Sequence, residues 1–152
     1  MSDTITFYRI HEPYGCFSNY APYPVEIDGL TWPTTEHYYQ AQKFADPAYR
    51  ERIRLDKHPS AAKGLGNSRK MPIRPDWDNV RVEIMRKAVR AKLAQHPTVA
   101  ETLLSTGDSE LVEHSPKDPF WTDGDGSGQN TFGRLLMELR AELRAALGER
   151  AA

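Results

Sequence analysis

Hydrophobic positions follow a helical spacing near the end of the chain and a strand-like alternation near its start. Four leucines between positions 135 and 143 fall on one face of residues 131–147, which predicts a long amphipathic final helix. Residues 5–9 alternate and contain a β-branched residue and aromatic residues, which predicts a short strand. The chain therefore combines helices with at least one strand.

Turn and cap residues divide the rest of the chain into further elements. Asp28-Gly29 is typical of a two-residue hairpin turn, and Asp46-Pro47 is typical of a helix start, with Asp as the cap and Pro in the first turn. The remaining predicted elements are helices over 34–44, 46–55, 58–64, 76–95 and 97–104, a strand over 110–115 and a loop over 64–74. Because no repeat or linker interrupts them, we expect a single domain over 1–152, with its core at about 5–147.

Composition and charge narrow the classes of protein. The 152 residues fit one domain, and the net charge of −1 gives no general attraction to nucleic acid or anionic membranes. The single cysteine, Cys16, excludes an internal disulfide, and we expect it to be a small packed residue. No apolar run is long enough to span a membrane, and the N-terminus does not have a signal-peptide pattern. We therefore expect a cytoplasmic protein.

Candidate chemistry centres on the predicted helix that begins after Trp32-Pro-Thr-Thr. Glu36, Gln40 and Lys43 have the spacing of one helix face. Glu36 and Lys43 are then about 10 Å apart along the axis, which suits two groups that flank a small ligand. The alternative is an ordinary solvated polar face.

Two neighbouring segments also have alternative interpretations. The basic loop with Arg69 is either a phosphate site or an exposed loop with ordinary surface charges. Trp77 either packs the start of the next helix onto the core or stacks on a flat ring. Phe17 either covers the core or lies near Asn19, which can present polar groups to a ligand.

A glycine-rich loop, Asp123-Gly-Asp-Gly-Ser-Gly128, precedes the final helix. It matches the first half of a calcium loop, but position twelve is Arg134, where calcium needs a Glu. A loop at a helix N-terminus that favours anions is the better interpretation. The five histidines do not have the spacing of a zinc site, so we expect no metal.

Together, these groups suit cleavage of a bond at the anomeric carbon of a sugar. Glu36 can stabilise an oxocarbenium-like centre or activate water, and Asp118 can assist the leaving group. Aromatic rings can hold the leaving base, and the basic loop can hold a phosphate. Each group taken alone also has a structural explanation.

Several long motifs in order carry a resemblance to a known family. They are Gly15-Cys-Phe-Ser-Asn-Tyr-Ala-Pro22, Trp32-Pro-Thr-Thr-Glu-His-Tyr-Tyr-Gln-Ala-Gln-Lys-Phe44, Arg74-Pro-Asp-Trp-Asp78, Met85-Arg-Lys-Ala88, Leu111-Val-Glu113, Asp118-Pro-Phe-Trp121 and Gly128-Gln-Asn-Thr-Phe-Gly133 through Leu136-Met137. On these motifs the chain resembles the NADAR (NAD- and ADP-ribose-associated) family, most closely its YbiA-like branch. The resemblance implies an α+β fold, mainly helical, around a small β-sheet.

The resemblance also implies an N-glycosidase that acts on ribose–nitrogen bonds. The substrate is then either ADP-ribosylated guanine or a ribosylamino-pyrimidine phosphate of riboflavin synthesis. By motif, Glu36 is the catalytic carboxylate, Lys43 matches a lysine that forms an imine with the opened ribose, and Asp118 is the second polar catalytic group. Direct attack by water, assisted by Glu36, is the rival mechanism.

The predicted substrate-binding residues surround these three catalytic groups. They are Phe17, Asn19, Tyr39, Gln40, Arg69, Trp77, Trp121, Gly128 and Asn130. Two positions depart from the family pattern: Asn67 stands after Gly66 where the family usually has Arg, and Thr122 stands after Trp121 where it often has Gly. With Asn67 in that place, Arg69 is the residue that we expect to contact phosphate.

Partners follow from the same hypothesis. We expect no cofactor, and a substrate that is a small nucleotide-like molecule or ADP-ribosylated nucleic acid. A toxin partner is expected only if the chain belongs to an ADP-ribosylation toxin–antitoxin pair. The alternative function is a non-catalytic module that binds ADP-ribose or a nucleotide without cleaving it.

Overall fold

The computed structural model describes residues 3–151, which form six α-helices and four short strands. The strands are β1 (Thr4–Phe7), β2 (Val25–Ile27), β3 (Leu30–Trp32) and β4 (Glu110–Glu113). The helices are α1 (Thr35–Ala41), α2 (Pro47–Leu55), α3 (Pro59–Asn67), α4 (Trp77–Gln95), α5 (Pro97–Ser105) and α6 (Thr131–Ala151). The expected mainly helical α+β class is confirmed.

The strands form two separate pairs. β1 pairs with β4 in parallel, with Thr4 opposite Glu110, and β2 pairs with β3 in an antiparallel hairpin. The hairpin turn has φ values of 53° at Asp28 and 83° at Gly29. Positive φ at both central residues is what an Asp-Gly turn between two strands provides, so the predicted hairpin is confirmed.

Residues 19–96 form one compact unit. In it, α1 packs against α2, α3 and α4, and the β2–β3 hairpin packs on α4. The apolar core of this unit is Val25, Ile27, Trp32, Tyr38, Ala41, Phe44, Tyr49, Ile53, Ala62 and Ala88. Every residue of α1 is buried, so this helix is the centre of the unit.

Residues 3–18 and 97–151 form a second compact unit. In this unit, α6 packs on β4 of the parallel strand pair and also against α5. Phe7 of β1 meets Phe17 at 5.6 Å and Phe132 of α6 at 6.1 Å between ring centroids. The organisation of the whole chain as a single domain stays a prediction.

Within residues 19–96, two helix C-termini differ from the sequence-based expectation. The predicted continuation of α1 to Phe44 is wrong, because α1 ends at Ala41 and tighter bonds follow, from Lys43 N–H to the Gln40 carbonyl and from Phe44 N–H to the Ala41 carbonyl. α3 continues past its predicted end at Gly64 to Asn67. A glycine often ends a helix, but here α3 continues because Gly66 packs on Gln40 of α1.

None of the helices that the structure describes is long and apolar enough to cross a membrane.

Candidate active site

The first turn of α1 is held in place by a network of hydrogen bonds. The N-cap residue Thr34 accepts a hydrogen bond from the His37 N–H at 3.2 Å. The Asn19 carbonyl accepts the Glu36 N–H at 3.3 Å, and the Asn19 side-chain oxygen accepts the Thr35 hydroxyl at 2.6 Å. These bonds satisfy backbone donors that a helix start otherwise leaves open. They also fix the turn from which Glu36 projects.

His37 ties this turn to the end of α2. Its Nε2 lies 2.8 Å from the Asp56 carbonyl, which can only accept, so Nε2 carries the hydrogen. Its Nδ1 lies 2.8 Å from the Thr34 hydroxyl and therefore accepts from it. Burial of the ring lowers the pKa of His37, because the charged form would lose hydration. His37 is thus a neutral anchor beside Glu36.

Glu36 is a largely buried carboxylate that accepts a short hydrogen bond from a residue of its own helix. The side chain is 7% exposed, and Gln40 Nε2 donates to Glu36 Oε2 at 2.6 Å. Gln40 Oε1 is buried and has no hydrogen-bond partner in the part of the chain that the structure describes. This oxygen rests on Gly66 of α3, where an added Cβ would lie 1.9 Å from it. Only glycine leaves room for Gln40 to orient the carboxylate.

Lys43 follows α1 and is also 7% exposed. Its Nζ donates to the Gly66 carbonyl at 3.4 Å and to Asn67 Oδ1 at 3.3 Å. The same nitrogen lies 5.9 Å from the centre of the Tyr39 ring and 6.0 Å from that of Trp77. Carbonyl oxygens at the end of a helix and the faces of aromatic rings are groups that stabilise an ammonium.

Gly66 therefore contacts both the Gln40 amide, which orients Glu36, and the Lys43 amine. Its Cα leaves space for the Gln40 amide that orients Glu36, and its carbonyl accepts from Lys43. The arrangement brings a carboxylate, an amide and an amine together, although Lys43 does not lie on the helix that carries Glu36. The predicted helix face is replaced by a turn that packs on the end of α3.

Trp77 and Tyr39 form an aromatic wall beside Lys43. Their ring centroids are 5.1 Å apart at 58°, and both side chains are 6% exposed. Trp77 begins α4 and is largely buried, as the packing interpretation requires, and its ring centroid lies 6.0 Å from the lysine nitrogen. The stacking of Trp77 on a flat ligand ring stays a prediction.

Two arginines of the basic loop, residues 64–74, have different surroundings. Arg74 makes a bidentate ion pair with Asp76, at 2.6 Å and 3.0 Å, and this pair lowers the pKa of Asp76. Arg69 is exposed and donates to the Gly66 carbonyl at 3.3 Å and to the Ser68 carbonyl at 3.4 Å. Arg69 therefore lies at the same helix end as the amine of Lys43, and its contact with phosphate stays a prediction.

Two residues in the segment 17–19 have structural contacts. Phe17 is 2% exposed and packs on Phe7 and on Tyr14, whose ring is 5.8 Å away. This supports the core interpretation of Phe17. Asn19 holds the start of α1 and also donates to the Met85 sulfur at 3.3 Å, so it positions Glu36.

Besides Phe17, four predicted residues belong to the second unit and are described within it. Asp118 is exposed at φ 54°, and its carbonyl accepts from the N–H groups of Trp121 and Thr122. Trp121 is 6% exposed, with its ring 5.0 Å from that of Phe120. The catalytic role of Asp118 and the substrate-binding role of Trp121 stay predictions.

Gly128 and Asn130 have evident structural roles. A Cβ at Gly128 would lie 2.5 Å from the Thr122 carbonyl oxygen, so the loop needs glycine for close backbone approach. Asn130 accepts from the Glu113 N–H at 3.0 Å and donates to the Leu111 carbonyl at 2.9 Å. Its amide is thus engaged on both sides by β4, which makes Asn130 a clamp between β4 and the start of α6.

Sequence reasoning missed the contributions of Gly66, Asn67 and His37. The sequence predicts a loop at Gly66 and Asn67, and their contact with Lys43 joins residues more than twenty positions apart. No local pattern signals such a contact. Across residues 3–151, no three His, Cys, Asp or Glu side chains are grouped so that they could hold a metal ion.

The comparisons with known proteins identify the family. The NADAR domain model matches residues 6–144. The chain is 50% identical over 145 residues to the N-glycosidase YbiA of Escherichia coli, which covers 94% of this chain and 91% of that protein. It is 44% identical over 145 residues to the riboflavin biosynthesis protein VVA0006 of Vibrio vulnificus, covering 95% of this chain and 40% of that protein.

A solved structure supports the same conclusion at the level of the fold. The NMR structure of Escherichia coli YbiA matches with a TM-score of 0.90 and 48% identity, over 98% of this chain and 90% of that one. The similarity therefore extends over nearly the full length in both sequence and fold. The chain belongs to the NADAR family.

Proposed function

We propose that this chain is an N-glycosidase, a hydrolase that cleaves the ribose–nitrogen bond of a ribosylamino-pyrimidine phosphate. The observation that carries the proposal is the buried Glu36 carboxylate, oriented by Gln40 and joined through Gly66 to the Lys43 amine. The relatives named N-glycosidase, at up to 50% identity over nearly the whole chain, support the reaction class.

Glu36 has the properties that this reaction needs. As the bond between C1 and nitrogen breaks, its electrons go to nitrogen and positive charge develops at C1 and the ring oxygen. A carboxylate held in a largely buried site stabilises that charge more than one in water does. Glu36 then takes a proton from the water whose oxygen bonds to C1, and the leaving nitrogen gains a proton. Protonation of the leaving nitrogen by Asp118 stays a prediction.

Lys43 provides a second route to the same products. In the ring-opened form of the substrate, C1 is joined to the base nitrogen as an imine. The lysine nitrogen adds to C1, the base leaves as an amine, and water hydrolyses the new lysine imine to release the sugar. Because the contacts of Lys43 favour its ammonium form, this route requires that a carboxylate first accept its proton. A borohydride quench, which reduces an imine to a stable amine, distinguishes the two routes.

The substrate is proposed from the relatives and from the surroundings of Lys43. The similarity to a protein named for riboflavin biosynthesis supports a ribosylamino-pyrimidine phosphate. The aromatic wall of Tyr39 and Trp77 suits a flat base, and the exposed Arg69 suits a phosphate. A toxin partner and a cytoplasmic location stay predictions.

The test is product analysis by mass spectrometry with two substrates in parallel. Purified protein is incubated with a ribosylamino-pyrimidine phosphate and with a guanine-linked ADP-ribose, and free base and sugar are measured. We expect base release from the pyrimidine substrate. Release from the guanine substrate instead would keep the reaction and change the substrate class, whereas tight binding without product would favour the non-catalytic module.

Glu36→Gln is the variant that tests the site. It keeps the size of the side chain and removes the base, so we expect turnover to fall about 100-fold or more while unfolding changes little. Glu26→Gln makes the same change at an exposed position of the same unit and is the matched control. Glu36→Gln turnover within tenfold of the Glu26→Gln value would exclude Glu36 as the base.

A further inference from the structure

Arg50 of α2 binds the end of α1 immediately before Lys43. Its Nε donates to the Ala41 carbonyl at 3.3 Å, and its Nη2 donates to the side-chain oxygen of Gln42. Ala41 is the last residue of α1, and Lys43 lies two positions further along the chain. The guanidinium therefore binds both residues that lead from the helix to the lysine.

The C-terminus of α1 explains why this contact forms. The last carbonyls of an α-helix have no partner within the helix, and the partial negative charge there attracts a cation. The Ala41 carbonyl accepts from the Phe44 N–H at 3.2 Å and from Arg50 Nε at 3.3 Å. A guanidinium carries its N–H groups in one rigid plane, so it holds two acceptors at a fixed separation.

The chain after this contact is held as well. The Lys43 carbonyl accepts from the Arg74 N–H at 2.7 Å, and the Phe44 ring centroid lies 4.6 Å from that of Tyr49. Phe44 is 2% exposed, so its ring is fixed in the core. Tyr49 and Arg50 are consecutive residues of α2. This helix therefore holds the turn 41–44 on both sides of Lys43.

The same helix is joined to α3, which binds the lysine amine. The Tyr49 hydroxyl donates to the Leu65 carbonyl at 2.6 Å. The carbonyl of the next residue, Gly66, accepts from Lys43 Nζ at 3.4 Å. α2 is thus in contact with the backbone that carries Lys43 and with the helix end that its amine contacts.

We infer that Arg50 is a positioning residue for Lys43: it fixes the turn 41–44 so that the lysine nitrogen meets C1 of the sugar. The inference rests on the imine route of the proposed function, in which this nitrogen forms a bond to C1. Reacting atoms have to be held about 3–3.5 Å apart, and a misplacement of about 1 Å costs up to about 100-fold in rate. Without Arg50, the Ala41 carbonyl and the Gln42 side chain lose the partner that they share.

A purely structural role for Arg50 has a different consequence. Loosening of the unit would change the access of every small aldehyde to Lys43, which is 7% exposed, and in the same direction. A positioning role affects a bound sugar selectively, because only the sugar has to meet the amine in one orientation. Two aldehydes of different kinds therefore separate the two roles.

The experiment is reductive labelling with ribose 5-phosphate, the sugar that the proposed reaction releases, and cyanoborohydride. The lysine nitrogen adds to C1 of the open-chain aldehyde, water leaves as the imine forms, and hydride from the reductant converts the imine to a stable secondary amine. Peptide mass spectrometry measures the rate at Lys43. Formaldehyde under the same conditions measures access to the amine, and the exposed Lys57 is the internal reference.

We expect Arg50→Ala to lower sugar labelling of Lys43 and kcat about tenfold each, with formaldehyde labelling within about twofold of the wild type. Arg50→Lys keeps a cation at the helix end but has a single nitrogen, so it should restore part of the sugar labelling. Arg54→Ala is the matched control, because Arg54 is another half-buried arginine of α2 and donates to the Thr31 carbonyl. It should leave both labelling rates at Lys43 unchanged.

Three results have distinct meanings. Equal sugar labelling of Lys43 in Arg50→Ala and Arg54→Ala, or a parallel change with both aldehydes, would overturn the inference. Wild-type protein in which sugar labels Lys43 no faster than Lys57 would exclude the imine route and the inference with it, and leave direct attack by water. Arg50-dependent labelling without base release from either substrate would support the inference and overturn the proposed hydrolysis.

Discussion

Gly66→Ala tests the packing that links α3 to the carboxylate of Glu36. In the structure an added Cβ would lie 1.9 Å from Gln40 Oε1 and 2.7 Å from Gln40 Cδ, far inside the contact distance. Gln40 is 4% exposed and has to leave its position to relieve the overlap. Its hydrogen bond to Glu36 is then lost.

The size of the effect follows from these contacts. Overpacking in a buried site costs about 1–3 kcal/mol, and a hydrogen bond to a charged group contributes about 1.5–3 kcal/mol. Replacing a glycine inside a helix by alanine returns about 0.5–1 kcal/mol. We therefore expect Gly66→Ala to lower the free energy of unfolding by about 2–5 kcal/mol, and to lower turnover because Glu36 is no longer oriented.

Gly64→Ala is the matched control in the same helix. A Cβ at Gly64 meets nothing within 4 Å, so this substitution should raise the free energy of unfolding by about 0.5–1 kcal/mol. The assay is urea unfolding of both variants, followed by tryptophan fluorescence. A Gly66→Ala protein as stable as Gly64→Ala would refute the reasoning.

A double-mutant cycle with Gln40→Ala identifies the cause. Removing the Gln40 amide removes the two closest contacts, and of the three nearest atoms the Gln40 Cβ remains, at 2.9 Å from the added methyl group. In this background Gly66→Ala should cost at least about 1 kcal/mol less than in the wild type. Additive effects would show that the strain lies elsewhere than in Gln40.

Two further predictions concern stability. Burial lowers the pKa of His37, so below about pH 6.5 the unfolded chain binds more protons than the folded protein. The free energy of unfolding should therefore decrease as the pH is lowered in this range, by up to about 1.4 kcal/mol per pH unit. Urea unfolding between pH 5 and 7 should show a shallower dependence in His37→Gln, and equal slopes would contradict the assignment. In the second unit, a Cβ at Gly133 would lie 2.1 Å from the Leu111 carbonyl oxygen, so Gly133→Ala should destabilise by about 3 kcal/mol or more. Gly148→Ala, with nothing within 4 Å, is the control in the same helix, and equal unfolding midpoints would contradict the packing.

Local chemistry determined most of the secondary structure. Asp46 accepts from the N–H groups of Ala48 and Tyr49, as the Asp-Pro signal predicts, and α2 begins at Pro47 as expected. The Asp28-Gly29 turn has the predicted backbone conformation. These elements are readable from sequence because each depends on groups a few residues apart. The resemblance to the NADAR family supplied the expected fold, the reaction class and the catalytic roles.

The tertiary structure decided how the candidate site is assembled. α1 ends before Lys43, and α3 continues through Gly66, because each helix end is set by packing against the other. The same packing brings Asn67 to Lys43, across more than twenty residues of sequence. Local helix propensity cannot predict such contacts, because Gln40, the neighbour that leaves room only for glycine at position 66, is distant in the sequence. The residue types at the site are therefore a property of the sequence, and their relative geometry is a property of the fold.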